Sequence, residues 1–187
     1  MLNYRTILEF IISIECMIIS SMIPIYIAIP TDKNLLSLIA LPVNWQIPII
    51  LYLSIVFSEK IVTRSFLIYI ILGLFVLPIF YDGGSLGYLL TPNFGYLLGI
   101  FPLIKIINKV NKYKKVSIFK LLKIGLIALL SMHLVGIIYN IFQLMLFGKI
   151  ELLSYYVAKF SLSKLPFHIF MLIPIYFLKR YKLSYKD

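Results

Sequence analysis

Six apolar runs, each close to the length needed to cross a bilayer, constrain the fold of this 187-residue chain more than any other feature. They lie at residues 7–29, 36–57, 62–80, 91–108, 119–147 and 162–178. A transmembrane helix needs about 20 consecutive apolar residues. Charged residues make up only 13% of the chain, whereas a soluble domain carries about 25%. The sequence therefore predicts an all-α, polytopic membrane protein: one integral membrane domain over residues 1–187, folded as a six-transmembrane-helix bundle.

The basic residues predict how this bundle is oriented. Six spans place both termini on the same side of the membrane, and 14 of the 18 Lys and Arg residues lie at the termini or in loops on that side. Because Lys and Arg are enriched in cytoplasmic loops, both termini are predicted to be cytoplasmic, in a multi-pass protein of the cell membrane. The same clustering between spans explains the formal charge of +11. We therefore predict contact with membrane lipid and no nucleic-acid partner.

A glycine-rich stretch, FYDGGSLGYLLTPNFGYLLGIF, interrupts the apolar sequence at residues 80–101. In the predicted orientation it connects the third and fourth spans on the outer face. Thr91 and Pro92 are typical of a helix start, since Thr can cap free backbone N–H groups and Pro is tolerated at the first helical position. The following helix is short, about 27 Å, so we expect the preceding segment to enter the membrane and to line a cavity with Gly83 and Gly84. An ordinary connection that needs turn residues is the alternative.

Uncharged polar and aromatic residues of four spans are predicted to share the outer half of the membrane. They are Asn44, Trp45 and Gln46 in the second span, Thr91, Asn93 and Tyr96 in the fourth, His133, Asn140 and Gln143 in the fifth, and His168 in the sixth. Polar groups in lipid are unfavourable unless they face the interior of the bundle. Their shared depth therefore predicts a polar cavity that is open to the outside. Interhelical hydrogen bonds and an aromatic belt are the alternative roles for such residues.

Small residues on two spans predict close helix contacts. Gly95 and Gly99 form a G-x-x-x-G pattern on the fourth span, and Ser13, Cys16 and Ser20 form a stripe on the first. Such residues let helix backbones approach, either within the bundle or against a partner protein. We predict that the stripe on the first span is a partner interface. Glu15, within the same span, is expected to pair with a lysine or to lie at a protein interface.

Motifs for catalysis and nucleotide binding are absent from the sequence. There is no H-E-x-x-H, G-x-S-x-G, P-loop or dinucleotide fingerprint, and the single cysteine, Cys16, excludes a disulfide framework or a cysteine metal cluster. We therefore predict no catalytic residues, no metal site and no cofactor. If the protein moves a solute uphill, a partner or an ion gradient must supply the energy, because the chain has no site for ATP.

Three blocks of the sequence resemble one known family. They are LPVNWQIPIILYLSIVF, LIYIILGLFVLPIFYDGG and GYLLTPNFGYLLGIFPLI. The residues that match the family's pattern are Pro42, Val43 and Gln46; Gly73, Leu77, Pro78, Ile79 and Phe80; and Gly83, Gly84, Pro92, Gly95, Tyr96, Leu97 and Gly99. Over about residues 36–108 the chain thus resembles BioY, the biotin-specific S component of energy-coupling factor (ECF) vitamin transporters.

The resemblance implies a six-helix membrane protein that captures biotin from outside and docks on a transmembrane coupling protein with two ATPases. One block departs from the family. Where the sixth helix of the family opens with P-G-D-x-x-K, this chain keeps Pro166 but has Phe167, His168 and Met171 in place of Gly, Asp and Lys. Without that lysine, we expect a carboxylate ligand to be held by His168, by Lys164 one turn earlier, or by the free N–H groups at the start of the fourth span.

From these observations we predict how biotin binds. The predicted substrate-binding residues are Asn44, Gln46, Gly83, Gly84, Thr91, Asn93, Tyr96, Asn140 and His168. The ureido ring is expected to hydrogen-bond to Gln46, Asn93 or Asn140, and the bicyclic face to pack on Tyr96 or Trp45. The glycine loop would close over the ligand. Three alternatives stay open: a carrier for another small vitamin, a membrane assembly subunit without a ligand, and a bundle enzyme that uses His133 and His168.

Overall fold

The computed structural model describes residues 3–31, 34–80, 83–113 and 116–184, and the fold is mostly helical. The α-helices are α1 (Tyr4–Met22), α2 (Gln46–Val56), α3 (Glu59–Phe75), α4 (Pro92–Ile107), α5 (Ile118–Leu146), α6 (Leu153–Val157), α7 (Leu165–Phe170) and α8 (Leu172–Ser184). Short 3₁₀ turns lie at Leu86–Leu90, Asn108–Lys112 and Ile150–Leu152, and a π-helical turn lies at Ala158–Leu162. The predicted bounds of the fourth and fifth spans agree with α4 and α5 to within one residue.

An antiparallel hairpin of β1 (Pro24–Thr31) and β2 (Asn34–Asn44) separates α1 from α2. The prediction of helix for the end of the first span and the start of the second was therefore wrong. Pro24 and Pro30 remove backbone N–H donors that a helix needs, while the many isoleucines favour a strand. As a result α2 has only 11 residues, about 16 Å, and is too short to cross a bilayer by itself.

Close contact between α4 and α5 depends on glycine. A Cβ atom built on Gly95 would lie 2.4 Å from the Cβ atom of Tyr139, and one on Gly99 would lie 2.4 Å from the carbonyl oxygen of Met132. On α5, Gly136 faces the ring of Tyr96 in the same way. The predicted G-x-x-x-G pattern thus serves packing within the bundle. It fixes the position of the α4 side chains against those of α5.

The start of α2 and the start of α4 lie at the same end of the bundle. At the opposite end, the side-chain amide of Asn108 donates to the carbonyl oxygens of Ser54 and Phe57, at 2.7 and 3.0 Å. These bonds satisfy carbonyl groups that the end of α2 leaves without helical partners. Lys105 and Lys109 lie at this end of α4. The bundle therefore has a basic end, where α2 and α4 finish, and an opposite end where both begin.

Large apolar side chains cover much of the outer surface. On α5, for example, Leu134, Phe142 and Met145 are exposed by 59%, 66% and 64%. Within the described residues, two helical segments are long and apolar enough to cross a membrane: Ile118–Leu146 and the continuous stretch Ile150–Arg180. An apolar exterior of this extent is unfavourable in water and favourable in lipid.

Candidate functional site

A cavity opens at the end of the bundle where α2 and α4 begin. It is lined by Pro42, Val43, Asn44, Gln46, Ile47, Tyr88, Asn93, Tyr96, Leu97, Ile100, Met132, His133, Phe160, Lys164 and His168. Its space amounts to about 630 Å³ with the open mouth included, of which about 70 Å³ can be reached by the centre of a water molecule. Six elements contribute: β2, α2, the 3₁₀ turn Leu86–Leu90, α4, α5 and the helical segment after residue 150. The cavity thus lies opposite the basic end of the bundle.

Two histidines and a lysine form one polar part of this cavity. His133 on α5 and His168 on α7 are almost fully buried, and their rings are stacked with centroids 6.1 Å apart. Among the residues that the structure describes, neither His133 Nε2 nor His168 Nδ1 has a hydrogen-bond partner. Lys164 lies within electrostatic reach of both rings. Buried polar atoms normally have partners. Both nitrogens lie beneath the surface of the cavity, so a ligand would contact them only after a small movement of the surrounding side chains.

Ser161 holds one of these imidazoles in place. Its hydroxyl lies 3.1 Å from His133 Nδ1 and 2.9 Å from the hydroxyl of Tyr96. Tyr96 also meets the His133 ring edge-on, with centroids 5.7 Å apart. Since Ser161 occupies Nδ1, the Nε2 atom of His133 is the one without a partner among the described residues.

Amide side chains form a second polar part, at the junction of β2 and α2. Gln46 Nε2 donates to the hydroxyl of Tyr69 at 3.0 Å, and Asn44 Nδ2 donates to the carbonyl oxygen of Ser21 at 3.0 Å. The Tyr69 hydroxyl in turn lies 3.4 Å from the carbonyl oxygen of Ile79. These bonds connect the amides to α1 and to the end of α3. The orientation of both amides is therefore fixed by groups outside the cavity.

Five of the nine predicted substrate-binding residues line this cavity: Asn44, Gln46, Asn93, Tyr96 and His168. The other four have different positions. Gly84 packs against the end of α3, where a Cβ atom would lie 2.6 Å from two backbone carbonyl oxygens, and Gly83 takes a positive φ of 108° beside it. These glycines therefore serve a tight turn and close packing instead of lining the cavity.

Thr91 and Asn140 also lie outside the cavity lining. Thr91 precedes α4 as predicted, but its hydroxyl donates to the carbonyl oxygen of Tyr88 at 2.8 Å. Asn140 is fully buried on α5, and its amide atoms have no hydrogen-bond partner among the described residues. Trp45, predicted to pack on a ligand, is 37% exposed and is not among the residues that line the cavity. Helical spacing alone could not separate Asn140 from His133, which does line the cavity.

The predicted partner stripe on α1 is turned inward. Ser13 is fully buried and Ser20 is 4% exposed, while Cys16 packs against the core. The hydroxyls of Ser13 and Ser20 donate to carbonyl oxygens of α1 itself. These small residues therefore let α1 approach its neighbours within the chain, which corrects the predicted partner interface. Glu15, in contrast, is exposed.

Sequence reasoning missed several contributors to the site. Among them, Tyr88 comes from the 3₁₀ turn after the glycines and Phe160 comes from the π-helical turn. Ser161, in the same π-helical turn, supports the site through its contacts with His133 and Tyr96. Hydropathy assigns these segments to loops, so no helical face could be predicted for them. Lys164, one of the predicted substitutes for the missing lysine, lines the cavity, whereas Met171 is not among the lining residues. Its role toward a carboxylate stays a prediction.

Comparisons with known proteins agree with this architecture. A solved structure of the S-component for biotin from an ECF-type ABC transporter matches with a TM-score of 0.72 and 21% sequence identity. The match covers 96% of this chain and 91% of that chain. The comparison with curated proteins returns no match. The fold is therefore that of an S-component, a class of membrane protein.

The family follows from the sequence of almost the whole chain. The model of the BioY family matches residues 2–180. The chain belongs to the BioY family, and the resemblance seen in residues 36–108 is confirmed.

Proposed function

We propose that this protein takes up biotin as the substrate-capture component of a vitamin transporter. The observation that carries the proposal is the cavity, which combines fixed amides with two buried imidazoles that have unpartnered nitrogens, in a chain of the BioY family. Members of this family are transporter components and not enzymes. Among the described residues, no group of three or more His, Cys, Asp or Glu side chains is placed to hold a metal.

The two polar parts of the cavity suit the two ends of biotin. The ureido ring is uncharged and carries N–H donors and a carbonyl acceptor, which match the amides of Asn44, Gln46 and Asn93. The bicyclic ring packs on Tyr96 and on the apolar wall formed by Leu97 and Ile100. Both amide and aromatic contacts are made by side chains that neighbouring helices hold in place.

The carboxylate of biotin is assigned to Lys164 and the histidines. An ammonium group offers an opposite charge, and an imidazole offers an N–H donor. Lys164 thus takes the place of the lysine that the sixth helix of the family usually supplies. His168 Nδ1 and His133 Nε2 gain the partners that they otherwise lack. This arrangement predicts that the ligand must be an anion.

The proposed membrane arrangement has six transmembrane segments in one integral membrane domain, with both termini in the cytoplasm. The cavity then faces the exterior of the cell, because it lies opposite the basic end of the bundle. Biotin would bind from outside, and a transmembrane coupling protein with an ATPase pair would drive its release inward. This partner is proposed from the family, and the chain itself carries no P-loop.

Retention of labelled biotin by the purified protein tests the proposal. We expect submicromolar binding that is lost on Gln46→Ala and on Tyr96→Ala, whereas Trp45→Ala, which changes a neighbouring aromatic residue outside the lining, binds normally. Lys164→Gln is expected to weaken binding about tenfold, equivalent to about 1.4 kcal/mol. Lys159→Gln is its matched control, because Lys159 is exposed on the same helical segment.

Two outcomes would contradict this reading. Retention of a different vitamin, with biotin unbound, would assign the cavity to another ligand. Binding of a biotin amide as tightly as biotin would show that Lys164 and the histidines do not recognise a carboxylate.

A further inference from the structure

A second cavity lies on the outer surface between α1 and α3, at the end where both helices begin. We call it the α1/α3 groove; it is lined by Thr6, Ile7, Phe10, Ile61, Arg64, Leu67 and Ile68. About 430 Å³ of its space can be reached by the centre of a water molecule, far more than in the biotin cavity. The groove shares no residue with that cavity. It therefore requires an explanation of its own.

The walls of the groove are bulky and apolar. Ile7 and Phe10 face Ile61, Leu67 and Ile68 across it. Interfaces between transmembrane helices are instead rich in Gly, Ala, Ser and Thr, which let backbones approach. Branched and aromatic walls around an open space are better suited to a flexible hydrocarbon chain than to another helix.

Deeper in the bundle the two helices are in direct contact. The hydroxyl of Ser65 donates to the carbonyl oxygen of Phe10 at 3.2 Å. At the other end of α1, the hydroxyl of Ser21 donates to the carbonyl oxygen of Ile79, after the end of α3, at 2.8 Å. The two helices therefore run in the same direction and begin at the same end of the bundle. The groove therefore lies over the first turns of both helices, with the contact of Ser65 and Phe10 behind it, as expected for a site that receives a lipid from one leaflet.

Arg64 gives the groove a positive charge. It is exposed, and the structure shows no ion pair for it among the described residues. Lys60 lies one turn earlier on the same face of α3, while Glu59 lies on a different face. The nearby Glu9 of α1 is paired with Arg5 at 3.0 Å. Arg64 is five residues into α3, about 7.5 Å from its start, so its side chain can extend to the level of lipid headgroups.

We propose that the α1/α3 groove binds one anionic phospholipid. An acyl chain lies between Phe10 and Ile68, and the headgroup phosphate pairs with Arg64. The assignment depends on the membrane location of the chain and not on biotin binding. A transmembrane helix of another protein is the competing occupant, but it would bury Arg64 unless it supplied an acid.

Native mass spectrometry of the purified protein tests this site. Phosphatidylglycerol and phosphatidylcholine with identical acyl chains are titrated separately, and the dissociation constant of the first bound lipid is measured. We expect tighter binding of phosphatidylglycerol by about fivefold, the effect of one basic residue near anionic lipid. Arg64→Gln should abolish this preference. Lys109→Gln, which removes an exposed cation outside the groove, should preserve it.

A second pair of variants tests the acyl chain. Ile68→Trp fills the groove and is expected to weaken binding of both lipids, while Ile71→Trp, an exposed position outside the lining, should not. Both positions are partly exposed, at 36% and 42%, so both variants are expected to fold. A headgroup preference that survives Arg64→Gln would overturn the proposal. So would equal lipid binding by the two tryptophan variants, which is the result expected if the groove receives a protein helix.

Discussion

Replacing Gly99 with alanine tests whether the close contact of α4 and α5 shapes the biotin cavity. The new Cβ atom would lie 2.4 Å from the carbonyl oxygen of Met132, where ordinary contacts begin at 3.4 Å. The shortfall is 1.0 Å, and the atoms in the way belong to the backbone, so no side chain can rotate to relieve it. We expect a loss of about 1–3 kcal/mol in the free energy of unfolding, as for other overpacked sites.

The same displacement should reach the ligand. Met132 and the adjacent His133 both line the cavity, so a shift of α5 moves two of the side chains that line it. A shift of this size is expected to weaken biotin binding about tenfold, or about 1.4 kcal/mol. Unfolding by SDS in mixed micelles, followed through the fluorescence of Trp45, measures the first effect, and retention of labelled biotin measures the second.

Gly87→Ala is the matched control for this experiment. The nearest atom to its new Cβ would be Ser85 Oγ at 3.4 Å, and Gly87 does not take a positive φ. The variant should therefore be as stable as the native protein or slightly more stable. If Gly99→Ala unfolded and bound biotin like the Gly87 variant, the inferred contact between α4 and α5 would be refuted.

Three further substitutions probe how the site is supported. Tyr69→Phe removes the acceptor of the Gln46 amide and should lower the free energy of unfolding by about 1–3 kcal/mol; an unchanged SDS unfolding midpoint would contradict this bond. Ser161→Ala removes the partner of His133 Nδ1 and should weaken biotin retention with little loss of stability, whereas unaltered retention would show that the bond does not position the ring. Gly84→Ala places a Cβ atom 2.6 Å from two carbonyl oxygens and should reduce the yield of folded protein, as size-exclusion chromatography would show.

Several site residues could be predicted from the sequence because hydropathy fixes depth in a membrane. Gln46, Asn93 and Tyr96 were each predicted to lie in the outer half of the membrane, on the side opposite most of the lysines, and the structure places all three in one cavity. The depth of a residue in the membrane does not determine the direction in which its side chain points, however. Asn140 lies on the same predicted helical face as His133, yet only the histidine lines the cavity, because the α4 contact determines which part of that face meets open space.

The hairpin of β1 and β2 shows a second limit of prediction from the sequence. Residues 24–29 and 36–44 are as apolar as the membrane spans to which they were assigned, and hydropathy alone cannot separate a strand from a helix in such a run. Two prolines and the pairing of β1 with β2 decide the outcome, and that pairing satisfies the backbone groups which a single strand would leave free. The role of the glycines after α3 could not be predicted from the sequence either. Their number indicated irregular backbone, but the close contact of Gly84 with the end of α3 shows that this glycine serves packing.

By itself, the sequence determined the membrane class, the family resemblance, the distribution of basic residues and most of the helices, because these follow from residue type and local spacing. The tertiary structure decided which polar groups share a cavity, that Ser13 and Ser20 face inward, and that Arg64 lies beside an open groove. Those outcomes depend on how far each helix is rotated and how closely its neighbour approaches. Rotation and approach are set by contacts between residues distant in the chain, such as Gly99 with Met132.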